Sequence, residues 1–169
     1  EKAKWHTDFD KARHDSGETG KPIFVYFTRS TPPDNVCENV ENTTLLSTDE
    51  FVNWAKDWTL YCHITSLVPG DKAASLHKDM GCTQWPYFLF TDQDGNIIGR
   101  HFGGWFPVDI KRSGDWVLRA VDLRKKFVGG DKSVGADLFD VSVKLVLFKL
   151  EAGTASAGAQ TVRGMRSPA

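Results

Sequence analysis

Lys21 to Cys37 reads KPIFVYFTRSTPPDNVC. Ile23 to Thr28 is a continuous apolar and aromatic run without polar alternation, the pattern of a central strand buried on both faces of its sheet. Ser30 to Asn35 then reads as a loop, because Pro32-Pro33 forbids a regular element until it has been passed. A helix is predicted to begin there and run through Cys37 and Val40 toward Leu46. Asn39, Asn42, Thr43 and Thr44 make it intrinsically weak, so packing has to hold it.

On the N-terminal side, Trp5, Phe9 and Ala12 recur at helical spacing ahead of Gly17, Gly20 and Pro22, which predicts a short amphipathic helix. On the C-terminal side, Ser47-Thr48-Asp49-Glu50 reads as a capping box before Phe51, Val52, Trp54 and Ala55. Thr59 to Leu67 reads as a strand, Val68-Pro69-Gly70 as a turn, and Ala73 to Met80 as a helix that Gly81 ends in a left-handed cap. Tyr87 to Thr91 and Ile97 to Phe102 form an antiparallel hairpin through Asp92-Gln93-Asp94-Gly95-Asn96. Trp116, Ala120, Leu123 and Phe127 share one helical face that closes at Gly129-Gly130. Beyond Asp131 the signal is double: Val134, Leu138, Val141, Leu145 and Phe148 keep helical spacing, while Val141, Val143, Leu145 and Leu147 alternate like a strand. Helix is preferred, since the longer stripe matches and Gly153 supplies a stop. Ala155 to Met165 then reads as a second helix folding back on the first.

The chain has 169 residues, 21 Lys+Arg against 22 Asp+Glu, six Trp, eleven Phe and three Cys. That length suits one domain with an appendage. The near-zero, scattered charge gives no footprint for nucleic acid or an anionic membrane, and no apolar run approaches the roughly 18 residues of a spanning helix. No phosphate-binding, G-x-S-x-G, zinc-protease or complete calcium-loop spacing occurs. No cofactor and no metal are expected. Glu1 in place of an initiator Met fits a processed chain, which would belong in the periplasm or another extracytoplasmic compartment.

The predicted order of elements is an α/β pattern with a mixed sheet. With Lys21 to Cys37, Trp85-Pro86-Tyr87-Phe88-Leu89-Phe90, Asp94-Gly95-Asn96 and Gly103-Gly104 in that order, residues 5 to 128 resemble a thioredoxin-like domain over about three quarters of the chain. The resemblance implies a three-layer α/β/α sandwich over residues 1 to 128. Residues 129 to 169 would add a C-terminal helical hairpin or docking extension. It also implies a redox Cys-x-x-Cys at the start of the helix after the central strand and a cis-proline ahead of the hairpin, the active-site parts through which such domains serve cell redox homeostasis. Here the motif is degenerate: Asp34-Asn35-Val36-Cys37 fills only its second cysteine position. An Asp cannot attack a disulfide, and a carboxylate near Cys37 disfavours its thiolate.

The remaining cysteines are weighed on their own residues. Cys62, within a predicted strand, reads as a small buried hydrophobe. Cys82 lies four residues before Pro86, where a Cys37–Cys82 disulfide, or a soft-metal site shared with His63 or His101, is the minority reading. In the resembling family the backbone before the proline pairs with an extended peptide. That implies a groove with Trp85 and Pro86 on one side and Pro32, Pro33 and Asp34 on the other; the bland reading has Trp85 merely packing over the sheet end. Two functions follow as expectations. The first is a domain that has lost dithiol chemistry and binds a protein or peptide client beside cis-Pro86. The alternative is a single-thiol oxidoreductase or redox carrier using Cys37, with Cys82 or a partner's thiol to resolve it.

Overall fold

The computed structural model describes residues 3–29, 35–65, 75–101 and 106–146. Its elements are α1 (Phe9–Thr19), β1 (Ile23–Arg29), α2 (Asn35–Asn39), α3 (Asp49–Trp54), β2 (Thr59–Thr65), α4 (Leu76–Asp79), β3 (Tyr87–Thr91), β4 (Ile97–Arg100), α5 (Pro107–Val128) and α6 (135–146). The strands form one sheet in the order β2-β1-β3-β4. β1 pairs parallel with β2, with Tyr26 opposite Cys62, and antiparallel with β3, which pairs antiparallel with β4. The sheet is therefore mixed, with helices on both faces, as expected.

β1 is buried on both faces, and its sequence says why. Phe24 and Tyr26 pack on one side with Leu60, Phe88 and Phe90 under Val40, Leu45, Phe51, Ile110 and Val117. Ile23, Val25 and Phe27 pack on the other with Tyr61 and Leu89 under Ala12, Met80 and Cys82. α2, α3 and α5 thus cover one face, while α1 and α4 cover the other. α6 continues the molecule by laying Leu138, Val141 and Leu145 against Trp116, Ala120 and Leu123 of α5. Its other side leaves Phe139, Val143 and Val146 exposed.

Several boundaries differ from the sequence expectation, each for a local reason. Trp5 is not in α1: His6 bridges to Tyr61 beside the β2 edge, so the chain is extended there and Asp8 caps the helix by accepting from the Asp10 and Lys11 amides. Trp5 and Ala12 consequently serve opposite faces of the sheet, and their helical spacing is coincidental. Gly17 lies inside α1, and it is Gly20, at φ 70°, that ends it. Thr48 rather than Ser47 caps α3, its hydroxyl accepting from the Phe51 amide. The weak helix holds for only five residues and continues as a π-helical segment over Val40–Thr44. α4 is shorter than Ala73 to Met80, with Gly81 left-handed at φ 68° as predicted. A short 3-10 turn, Lys132–Val134, precedes α6, in line with the helical alternative. The turn at Val68-Pro69-Gly70 and the proposed helix from Ala155 to Met165 lie outside the described residues.

Candidate functional site

The topology gathers one set of element ends. β1 and β2 run parallel, and β4 runs parallel to β1 because two antiparallel steps separate them. The end of the sheet at Arg29, Thr65 and Arg100 is therefore also where α2 and α5 begin and where the Trp85-Pro86 turn enters β3. The Trp85–Pro86 peptide bond is cis. Exposed apolar side chains collect at this end: Val36 in the first turn of α2, Ile64 near the end of β2, and Phe106 and Val108 where α5 starts. Pro32, Pro33, Asp34 and Trp105 lie outside the described residues.

Trp85 is half-buried and held from several sides. Its indole N–H donates to the Thr65 hydroxyl at 3.1 Å. The His77 ring stacks on it with centroids 4.2 Å apart and planes 9° from parallel, and the Arg29 guanidinium stands 5.5 Å from the ring centroid. His77 itself is 4% exposed and is bounded edge-on by Phe27. Its Nε2 lies 2.9 Å from the Gln84 carbonyl, which only accepts, so that nitrogen carries the hydrogen. Burial is the larger influence and holds the imidazole below its usual range, so it is neutral at pH 7.

With the folded pKa depressed, the unfolded chain takes up the proton first as pH falls below about 6.5. This stabilising contribution is complete above that pH and is lost as pH falls through the folded value. His77→Gln, which keeps a side-chain donor for Gln84, is expected to flatten the dependence of the urea midpoint between pH 7 and 5; an unchanged slope would assign the effect to other groups.

The three cysteines form no disulfide with one another, and they are distributed over two faces. Cys37, 3% exposed, belongs to α2 and lies close enough to Tyr26 and Cys62 to act on both, which puts it on their face of the sheet. Cys82, 7% exposed, packs on the opposite face beside Met80 and Leu89, with Arg100 Nη1 4.0 Å from its sulfur. The structure therefore does not bring Cys37 and Cys82 together; the sheet lies between them. His63 packs against Phe27 on the Cys82 face, whereas His101 bonds Ser113 of α5 at 2.9 Å. Among the described residues no three His, Cys, Asp or Glu side chains cluster as metal ligands would.

Glu41 is the neighbour of Cys37 and Cys62 that spacing did not reveal. One carboxylate oxygen, Oε1, accepts from both the Tyr26 and Thr28 hydroxyls at 2.8 Å. Tyr26 and Thr28 are two apart on β1, hence on one face, and Glu41 is four residues beyond Cys37; those two periodicities were the available signal. Burial, then Glu41, then Cys37 push the Cys62 thiol up to about 12. Cys82 is pushed up to about 11 by burial, against a smaller lowering by Arg100.

Among the described residues no helix is long and apolar enough to cross a membrane. No family model and no curated protein matches the chain. Solved structures do. The oxidoreductase DsbH superimposes with a TM-score of 0.51 at 20% identity, over 63% of this chain and 76% of that one. A thioredoxin from Thermus thermophilus aligns over 79% and 93% of the two chains at 18% identity, with a TM-score of 0.48. At 20% identity the likeness to DsbH concerns the fold alone, and with the mixed β2-β1-β3-β4 sheet between helices that fold is thioredoxin-like.

Proposed function

We propose that this thioredoxin-like protein binds an extended protein or peptide client at the Trp85-Pro86 end of its sheet and has given up dithiol exchange. The observation that carries this reading is a division of exposure. All three thiols sit wholly or partly inside the molecule, while Val36, Ile64, Phe106 and Val108 are 40%, 51%, 59% and 66% exposed around one sheet end. Large apolar side chains gathered in solvent mark interaction surfaces. Trp85 suits an anchor there because Thr65, His77 and Arg29 fix its ring, so little rotamer entropy is lost on binding. Asp34 in the attacking-cysteine position supports loss of the exchange reaction. The exposed face of α6 supports the view that residues 129 to 169 dock elsewhere.

Reduced insulin B chain is a suitable probe, being extended and apolar. Trp85→Ala is expected to weaken its binding, read by fluorescence anisotropy, about tenfold or more, the scale of an aromatic hot spot, with the thermal midpoint lowered only modestly. Unchanged affinity in a folded variant would count against the groove. The alternative, a single-thiol carrier working through Cys37, requires dithiothreitol-coupled insulin reduction above the reagent rate and its loss in Cys37→Ser. Turnover with that dependence would replace the binding reading.

A further inference from the structure

At the other end of the sheet, where β1 and β2 begin, a cleft of about 320 Å³ opens between α1, the chain before it and the α3 segment. Strands of seven residues put it about 20 Å from the Trp85 end, so nothing about it depends on the client groove. Its apolar lining is Ala3, Val52, Ala55 and Leu60, with Trp58 among them. Its charged lining residues are one-sided: Lys4, Lys21 and Lys56 stand against the single acidic residue Asp15. Asp15 is itself engaged by His6, whose Nε2 lies 3.4 Å from Oδ2. A chain with net charge −1 thus carries a local positive site.

The lysines are partly ordered already. Lys21 Nζ donates to the Lys56 carbonyl at 2.7 Å, and Lys56 Nζ donates to Asn53 Oδ1 at 2.9 Å. Each ammonium has three hydrogens, so further donors remain for a ligand.

We propose that this cleft binds a small organic anion, a carboxylate carried on an apolar body. The ammonium rim supplies the counter-charge, and the alanine, valine and leucine walls reward a hydrocarbon or aromatic part. The volume is at the small end of the roughly 300–1,000 Å³ of ligand pockets, room for one ring and its carboxylate. A bare inorganic anion would leave the apolar wall unused, and a neutral arene would leave the lysines unused.

Calorimetric titration of the full chain with benzoate, 4-phenylbutyrate and inorganic phosphate tests this. Saturable binding of the two carboxylates is expected, tighter than phosphate by about tenfold and weakening as salt is raised, because exposed charges are screened. Lys4→Glu is expected to weaken it about fivefold. Lys21→Gln with Lys56→Gln is expected to weaken it about tenfold while the thermal midpoint changes little, both side chains being exposed. Absence of saturable heat with both carboxylates up to about 10 mM would overturn the proposal. So would affinity indifferent to the lysine changes in folded variants, or phosphate binding as tightly as the carboxylates.

Discussion

Gly114→Ala is expected to destabilise the protein by about 2 kcal/mol and to lower its thermal midpoint by roughly 4–8 °C, although alanine is the better helix former by about 1 kcal/mol. Gly114 lies within α5 and is buried. A methyl there would run into Trp54 Cζ2 and stand 3.0 Å from Trp58 Cζ2. Those rings are themselves locked: Trp54 is 5.1 Å from Trp58 and edge-on to Phe24 at 5.3 Å, and Trp58 is 5.0 Å from Phe90. A flexible side chain would move aside at little cost, but a wall of stacked indoles transmits the strain. Two comparisons isolate the cause. In a Trp54→Phe background the offending ring carbon is gone, so the same Gly114→Ala change should cost much less. That background is mild in itself, because Trp54 Nε1 is buried without a hydrogen-bond partner. Gly17→Ala, within α1 and with its nearest outside atom 4.0 Å away, should stabilise by about 0.5–1 kcal/mol. Urea unfolding of the variants decides it; a stabilised Gly114→Ala would mean that the tryptophans yield.

These contacts mark the limit of what was legible beforehand. β1 announced itself because burial on both faces removes polar alternation, and the hairpin did so because the Asp92 side chain, accepting from the Asp94 and Asn96 amides, needs that spacing. α5 was legible in its second half, from the apolar face of Trp116, Ala120, Leu123 and Phe127, while its start at Pro107 was not. Trp5 misled because its spacing from Phe9 fits a helix, while the hydrogen bonds of His6 to Leu60 and Cys62 extend the chain there. A single sequence contains no information about that distant edge. The same is true of the site. Trp85 and Pro86 stood out from their order, and Glu41 left a partial signal in its four-residue offset from Cys37, but His77 under Trp85 is a tertiary contact between elements with no fixed offset. The faces of the cysteines were partly readable: Cys62 and Tyr61 alternate along β2, so one must face each side. Which side Cys37 and Cys82 would share with them was not.

That distribution sets the largest chemical effect expected of this protein, the inertness of its thiols. Only the thiolate attacks an alkylating reagent. Raising a thiol from its ordinary 9.0 to about 12 leaves Cys62 about a thousandth of the usual thiolate at neutral pH, and about 11 leaves Cys82 about a hundredth. Cys37 is 3% exposed, so reagent access limits it instead. Native protein with iodoacetamide at pH 7.5 should therefore gain label at Cys62 and Cys82 slower than a free cysteine by about two to three orders of magnitude, and at Cys37 slowly because the reagent cannot reach it, whereas in guanidinium all three should react at ordinary rates. Glu41→Gln removes the second-largest influence on Cys62 and should bring its alkylation midpoint down in pH, with burial still holding it above normal. Stability carries the matching sign. Because the folded pKa values are raised, the contribution is fully present below the unfolded value near 9 and is lost as pH rises through about 11 to 12, where the unfolded chain has released protons that the folded one keeps. Cys62→Ser should soften that alkaline loss. Rapid labelling of native Cys37 at neutral pH, with Cys62 and Cys82 silent, would instead mark Cys37 as an accessible thiol and revive the single-thiol carrier as the working function.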